Sequence, residues 1–87
     1  MQFLVIGDQE TVLGFRLAGV KGIVATDPEE TLTALKGALD FRDVGVILIT
    51  EKLAAGIRDE VDARLYGRGF PLVLEVPGPE GAGPGRL

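Results

Sequence analysis

Short apolar runs alternate with segments of helical periodicity along the first three quarters of the chain. The runs lie at residues 3–6 and 23–25, at Val44–Thr50 and at residues 70–76, and β-branched side chains are frequent in them. This alternation is typical of βαβ units around a parallel sheet that helices cover on both faces. The run VGVILIT, Val44–Thr50, predicts a central strand, whereas the short run at 23–25 predicts an edge strand.

Start and stop signals predict a first helix over residues 9–18. Asp8 can cap this helix with its carboxylate, and Glu10 stands in the first turn, where the helix dipole favours negative charge. Gly19 follows the last periodic position and is the expected stop residue.

Two further helices are predicted on similar signals. Thr26 or Asp27 is the expected N-cap of the second, and Pro28 occupies its first helical position. The third is expected over residues 51–66, with an interruption near Gly56. Apolar residues at helical spacing predict the buried stripes, which are Leu32, Leu35, Ala38 and Leu39 in the second helix and Ile57, Val61 and Leu65 in the third. Two i,i+4 ion pairs, Arg58 with Asp62 and Glu60 with Arg64, are expected to support the third helix weakly.

The predicted order of elements is β-α-β-α-β-α-β. Crossovers between parallel strands are right-handed in nearly all proteins, and the simplest open sheet that results has the strand order 2-1-3-4. The expected fold class is therefore a small flavodoxin-like or receiver-like three-layer α/β/α domain over residues 1–76, without the last helix of that architecture. The segment PGPEGAGPGRL, residues 77–87, predicts a flexible Pro/Gly-rich tail.

Composition and charge exclude several kinds of site and partner. The 87 residues include no Cys and no His, which excludes thiol nucleophiles, Cys/His zinc sites and catalytic triads that use His. The formal charge is −4 and the nine basic residues are scattered, which argues against nucleic-acid binding. No apolar run approaches the roughly 20 residues that span a bilayer, and no signal-peptide pattern is present. We therefore expect a cytoplasmic protein that does not insert into the membrane.

Polar residues follow the predicted strands at the carboxyl edge of the sheet, where open parallel sheets bind ligands. The segment GDQETVLG lacks the Gly-rich patterns of phosphate sites, and the chain lacks the phosphoacceptor Asp and the Lys of receiver domains. Helix capping and dipole compensation account for every acidic residue here, so no catalytic, cofactor-binding or metal-binding residue is predicted. The residues expected at this edge are Asp8, Gln9, Thr26, Asp27, Thr50 and Glu51. The residues that capping and dipole compensation explain are Asp8, Glu10, Thr26, Asp27 and Glu51.

The first helix also carries residues that a simple core helix does not need. Gly14 in a helix interior costs about 1 kcal/mol relative to Ala, so it requires a reason such as close approach of another backbone. If Val12, Leu13 and Leu17 face the sheet, then Phe15 or Arg16 lies on the flank, and both residue types are enriched at protein interfaces. Gly14, Phe15 and Arg16 are therefore the predicted partner-binding residues. The alternative is that Phe15 belongs to the core and Arg16 only lies along the surface.

The segment GDQETVLGFRLAGV, residues 7–20, resembles the N-terminal segment of the F subunit of the V-type and A-type ATP synthases. The segments VGVILITEKLAAGIRDEV and GRGFPLVLEVPGPEG resemble the third strand and helix and the last strand of the same family. The resemblance covers nearly the whole chain. Family members usually continue beyond the Gly-rich loop into a C-terminal helical segment, whose role is not assigned to this chain.

The resemblance implies a non-catalytic component of the central rotor stalk with a receiver-like fold. Such a component pairs with the D subunit, which forms the coiled-coil shaft, and turns inside the ring of catalytic A and B subunits, peripheral to the membrane. It would bind no nucleotide or other cofactor, and it would help couple ion translocation to ATP synthesis or hydrolysis. An alternative of a different class is a degenerate receiver-like module that binds a divalent metal or small ligand at Asp8, Asp27 and Glu51.

Overall fold

Parallel strands and flanking helices follow one another in the order that the apolar pattern predicts. The computed structural model describes residues 2–65 and 71–78. The strands are β1 (Gln2–Gly7), β2 (Lys21–Val24), β3 (Val44–Thr50) and β4 (Leu72–Val76), and the helices are α1 (Gln9–Leu17), α2 (Pro28–Leu39), α3 (Glu51–Gly56) and α4 (Arg58–Leu65).

The strands form one parallel sheet in the order β2-β1-β3-β4, as predicted. The expected α/β fold class is confirmed, and β3 has the predicted bounds. Strand β2 is the predicted edge strand but begins at Lys21, because its register pairs Lys21 with Leu4 and Val24 with Gly7. The predicted third helix is two helices, α3 and α4, with Ile57 as the C-cap of α3.

Some predictions fall outside the part of the chain that the structure describes. These are the strand position Phe70, the helix end at Tyr66, the side chains of Arg64 and Leu65, and residues 79–87 of the proposed tail.

The larger hydrophobic core lies on the sheet face that α2, α3 and α4 cover. Side chains alternate between the faces of a strand, so one set of alternate residues in β1, β3 and β4 points into this core. The core members from the strands are Leu4, Ile6, Val44, Ile47, Ile49 and Val73, and those from the helices and the C-cap of α3 include Ala34, Leu35, Ala38, Ala54, Ile57 and Val61. The predicted stripes of α2 and of the third helical segment are thus confirmed where the structure describes them.

The opposite face of the sheet carries only α1 among the described helices, and α1 packs on β1 and β2. Val12 is the buried residue of α1, and it lies over Gly22 of β2. A Cβ atom at Gly22 would stand 2.6 Å from Val12 Cγ1 and 3.0 Å from Val5 Cγ1. Gly22 therefore permits the close approach of α1 to the sheet.

The face of α1 that packs on the sheet is not the face expected from Leu13 and Leu17. Leu13 and Leu17 do not face the sheet, because their side chains are 57% and 82% exposed. The stripe nearest the sheet instead follows Asp8, Val12 and Phe15, whose spacing of four and three residues is that of one helix face. Phe15 is half-buried, so it is neither a full core residue nor free of the sheet.

Helix α1 ends as its sequence predicts. Gly19 has φ +89°, a left-handed conformation that a side chain would disfavour. The Val20 amide donates to the Phe15 carbonyl (3.0 Å) and the Gly19 amide to the Arg16 carbonyl (2.9 Å), which satisfies carbonyls at the helix end.

An ion pair joins α4 to β4 across the larger core. The Arg58 guanidinium donates to both carboxylate oxygens of Glu75, at 2.5 and 3.2 Å, and also to Asp62 at 3.3 Å. The hydrogen bonds from Arg58 lower the pKa of Glu75 against the opposing effect of burial. The predicted Arg58–Asp62 pair is confirmed, whereas the pair with Glu75, 17 residues away, has no local sequence signal.

The Glu75 ion pair predicts an acid dependence of stability. A carboxyl whose pKa is lower in the folded state stabilises the fold above its unfolded pKa, about 4.3 for Glu, and loses that contribution as the pH falls through the folded pKa. Glu75→Gln should therefore lower the free energy of unfolding at pH 7 and reduce its decline between about pH 5 and pH 3. Urea unfolding across this range measures both effects. The exposed turn residue Asp43 provides the control, Asp43→Asn, and an equal change in both variants would contradict the assignment.

The contact between Gly22 and Val12 predicts a steric coupling. Gly22→Ala should destabilise the fold by about 1–3 kcal/mol, because the added methyl group meets Val12. The double variant with Val12→Ala should be less destabilised than the sum of the two single variants. Gly37→Ala is the control, since no described atom lies within 4 Å of a Cβ there apart from its own helix and chain neighbours. Thermal or urea unfolding of the four variants tests the coupling, and strict additivity would contradict it.

Candidate functional site

The start of α1 forms the first part of the carboxyl edge of the sheet. The Asp8 carboxylate accepts hydrogen bonds from the Thr11 amide (3.0 Å) and the Thr11 hydroxyl (2.6 Å). Burial acts to raise the pKa of Asp8, but these hydrogen bonds outweigh it and lower that pKa below its ordinary value. Asp8 is thus the N-cap of α1, as predicted.

Three hydrogen bonds hold the start of α2. The Asp27 carboxylate accepts from the Glu30 amide (2.7 Å), and the Glu30 carboxylate accepts from the amide and hydroxyl of Thr26, at 2.9 and 2.8 Å. Of the two predicted cap candidates, Asp27 is the N-cap, and Thr26 is held by Glu30 just before it. A Glu three residues after an N-cap is a known sequence signal, and it could have predicted the role of Glu30.

The start of α3 completes this edge. Thr50 is almost fully buried and its hydroxyl accepts from the Leu53 amide at 3.4 Å, which makes it the N-cap. Glu51 is exposed in the first turn of α3, and Gln9 is exposed in the first turn of α1. The capping interpretation is therefore confirmed for Asp8 and Asp27, and Thr50 is a further N-cap that the sequence analysis did not predict.

A shallow pocket of about 300 Å³ lies between these helix starts. Its lining is mostly apolar, and the Asp8 and Thr50 oxygens that border it already accept hydrogen bonds from their own helices. Within residues 2–65 and 71–78, no group of three or more acidic, His or Cys side chains could hold a metal ion. The pocket is lined by Asp8, Ala25, Thr26, Thr50, Lys52, Leu53 and Gly78.

The two flanks of α1 face in different directions. Thr11 lies over Gly7 of β1, whereas Val12 lies over Gly22 of β2. The side of α1 that carries Thr11 therefore faces β1, whereas the side that carries Val12 faces β2. Because β3 lies next to β1 in the sheet, the Thr11 side also faces towards β3. We call the side of α1 that carries Thr11 the inner flank. The side that carries Leu13, which lies about 100° around the helix from Val12 in the opposite direction, is the outer flank.

The predicted partner-binding residues are divided between these flanks. Gly14 and Phe15 lie on the inner flank with Thr11, and together with Glu10 and Ala18 they line a hollow of about 330 Å³. Arg16 is exposed on the Leu13 side of Val12. No described atom lies within 4 Å of a Cβ at Gly14, apart from its own helix and chain neighbours, so the expected close approach is not made within the described part of the chain.

A second apolar surface lies beside the inner flank of α1, on the half of the sheet that α1 does not cover. Its residues on β3 and β4 are Val46, Leu48, Leu72 and Leu74, which point away from the larger core. Phe3 of β1 lies in line with Val46 and Leu72. The side chains of Phe3, Leu72 and Leu74 are 44%, 39% and 40% exposed, and we call this surface with the inner flank the open groove. Sequence reasoning missed it, because four of the five residues of LVLEV are apolar and the strand alone does not indicate which face is exposed.

Comparison with known proteins assigns the chain to a family. Residues 3–86 match the profile of the family described as ATP synthase (F/14-kDa) subunit. The chain belongs to this family. Its relatives include the A-type ATP synthase F subunit of Pyrococcus furiosus, 39% identical over 82 residues, which are 88% of this chain and 75% of the relative. Another is the A-type ATP synthase F subunit of Thermococcus kodakarensis, 40% identical over 87 residues, which are 94% of this chain and 79% of the relative.

A solved structure supports the same assignment to the F-subunit family. The crystal structure of the V-type ATP synthase F subunit from Archaeoglobus fulgidus matches with a TM-score of 0.67 and 28% identity. The match covers 86% of this chain and 95% of that chain. The resemblance drawn from residues 7–20 is therefore confirmed, and so is the fold expected from it. Across the described residues of this family member, no helix has the length and apolar character needed to cross a membrane.

The cap at Asp8 predicts a specific pattern of stability. Asp8→Ala should destabilise the fold by about 1 kcal/mol, because two donors of Thr11 lose their acceptor, while Asp8→Asn should retain most of the stability. Urea unfolding of the two variants at neutral pH measures the difference. Equal losses in both would show that the negative charge, and not the hydrogen-bond acceptor, stabilises the start of α1.

Proposed function

We propose that the chain is a non-catalytic central-stalk component of a V/A-type ATP synthase or ATPase, which binds the coiled-coil D subunit. The observation that carries the proposal is the match to the F-subunit family over residues 3–86. In this role the chain turns with the shaft inside the ring of A and B subunits, in the cytoplasm and peripheral to the membrane. It helps to couple ion translocation to ATP synthesis or hydrolysis.

The distribution of polar side chains supports a role in assembly rather than in chemistry. The carboxylates of Asp8, Asp27 and Glu30 accept hydrogen bonds at the helix starts, and Glu75 is paired with Arg58. Groups with these partners do not act readily as general bases or metal ligands, because either role would break an existing interaction. A metal or small-ligand module at Asp8, Asp27 and Glu51 is accordingly the less supported alternative.

Exposed apolar side chains support a protein partner. Phe3, Leu13, Leu17, Leu72 and Leu74 are all exposed in a domain of this small size. Single exposed apolar residues are ordinary on protein surfaces, but adjacent ones that form a continuous patch mark interaction sites. The open groove is such a patch, and it adjoins the predicted partner residues Gly14 and Phe15.

Binding to the D subunit tests the proposal directly. The chain mixed with the D subunit of the same synthase should elute as a stable complex in size-exclusion chromatography at micromolar concentration. Isothermal titration calorimetry should give one site per chain, with a negative heat-capacity change from the apolar area that is buried. Two separate peaks, together with no heat of binding, would contradict the proposal. Amide chemical shifts during a Mg²⁺ titration examine the alternative, which requires movement confined to Asp8, Asp27 and Glu51.

A further inference from the structure

We propose that the outer edge of β2 pairs with the same edge of a second copy of this chain. The two β2 strands lie antiparallel around a two-fold axis, so that two four-stranded sheets become one continuous sheet. The contact is weak and reversible. This association concerns the chain alone and does not depend on the proposed function.

The outer edge of β2 presents backbone groups that have no partner in the described part of the chain. The Ala25 amide donates to the Gly7 carbonyl of β1 at 3.0 Å. Backbone groups of successive residues in a strand point to opposite sides, so the amides and carbonyls of Gly22 and Val24 point away from β1. No described strand lies beyond β2 on that side. The backbone of another strand matches the spacing of these groups.

One antiparallel register uses all of the outward groups. Gly22 of one copy faces Val24 of the other, and Val24 faces Gly22, which forms two pairs that each exchange both of their hydrogen bonds. Ile23 then faces Ile23 of the second copy at the two-fold axis. The edge is thus complementary to itself, as a two-fold interface requires.

The charged side chains along this edge are separated by sign. Lys21 begins β2, and Lys36 lies in the last turn of α2, which runs back towards the same end of the sheet. Glu29 and Glu30 lie in the first turn of α2 at the opposite end, where they border β2 around a hollow of about 420 Å³. Glu29 and Lys36 are seven residues apart, so they lie on one face of α2. The β2 edge therefore has a basic amino end and an acidic carboxyl end.

A two-fold axis at Ile23 sets these opposite charges against each other. Lys21 comes to lie opposite Ala25 of the second copy. The Glu30 carboxylate of that copy is close by, because it accepts hydrogen bonds from the Thr26 amide and hydroxyl at 2.9 and 2.8 Å. Each basic end therefore meets an acidic end, which favours this orientation. A second copy in the parallel orientation would set like charges against each other.

Apolar side chains on the α1 face of the sheet support the same contact. Val24 shares this face with Gly22, which lies under Val12, and Val24 is 47% exposed. The pairing brings Val24 to the outer flank of α1 in the second copy, where Leu13 is 57% exposed. Association therefore removes apolar surface from water in addition to pairing charges.

Other segments of the same chain do not suit this edge. Residues 79–87 follow β4, at the opposite edge of the sheet, and five of these nine residues are Gly or Pro, which are depleted in strands. Residues 66–70 connect α4 to β4 and span at most about 17 Å when extended. They are too short to reach β2, about 14 Å from β4, and return.

The short length of β2 limits the strength of the pairing. The strand has four residues, which extend about 13 Å. Short edge strands and a Lys on the edge are features that restrict edge-to-edge pairing in natural proteins. A contact of this size belongs to the weak class of specific interfaces. We therefore expect a dissociation constant between about 10 μM and 1 mM.

A charge exchange between two variants provides the first test. Lys21→Glu and Glu29→Lys should each weaken self-association at least about tenfold, because a two-fold dimer sets the like charges together twice. An equimolar mixture of the two variants should associate like the parent chain, since the reversed charges then attract each other. Sedimentation velocity from about 10 μM to 1 mM measures each sample. Arg42→Glu makes the same charge change in the exposed turn before β3, and it should associate like the parent chain.

A backbone variant provides the second test. Val24→Pro removes an amide that points away from β1 and has no acceptor among the described residues, so the fold should persist. Self-association should fall at least about tenfold, because the pairing loses two of its donors in each dimer. Amide chemical shifts of the parent chain should change with concentration at residues 21–25 and stay constant at residues 72–76. Circular dichroism and urea unfolding verify that each variant is folded.

Each result supports or overturns the pairing of β2 edges. A parent chain that stays monomeric up to about 1 mM overturns it. Association that persists in Val24→Pro also overturns it, because the contact then does not use the strand edge. A mixture of Lys21→Glu and Glu29→Lys that stays monomeric excludes the antiparallel two-fold orientation. Shifts confined to residues 72–76 would assign the association to the open groove. None of these results bears on binding of the D subunit, which tests the proposed function separately.

Discussion

The requirement that a parallel sheet be covered on both faces governs this structure. Parallel strands are typically buried between two layers of helices, because their continuous apolar runs leave neither face suited to water. Helices α2, α3 and α4 cover one face completely and create the larger core. On the other face, α1 covers β1 and β2, Val46 of β3 is buried, and Leu48, Leu72 and Leu74 remain partly exposed. Within residues 2–65 and 71–78, the layer on this face of the sheet is therefore incomplete.

Local sequence signals were sufficient to predict the strands and the helix starts. Val44–Thr50 has no polar residue before its last position, and Asp8 and Asp27 stand directly before periodic apolar segments. Both signals act within a few residues, so they do not depend on how distant parts of the chain pack. The strand order followed from the chirality of crossovers together with the central position of the most apolar run.

The rotation of α1 and the pairing of Glu75 could not be predicted in the same way. Helix α1 has apolar side chains around most of its circumference, so its own periodicity does not decide between Val12 and Leu17 as the buried residue. The decision comes from Gly22, which lies on another strand and accepts Val12 at close range. Glu75 lies 17 residues from Arg58, and only the adjacency of α4 and β4 brings the two together. The open groove could not be predicted for the same reason, because it combines one flank of α1 with two later strands.

Gly14 has a consequence for how the stability of this domain is measured. In an exposed helix interior, Gly is about 1 kcal/mol less favourable than Ala, and the described part of the isolated chain offers no contact that offsets this difference. A selection for heat resistance of the isolated chain would favour a larger residue there, since stabilising substitutions often occur where function constrains the native residue. The side chain gained would fill part of the hollow that Glu10, Thr11, Phe15 and Ala18 line beside this position. A gain in the stability of the isolated domain would therefore alter the surface on which the predicted partner residues lie.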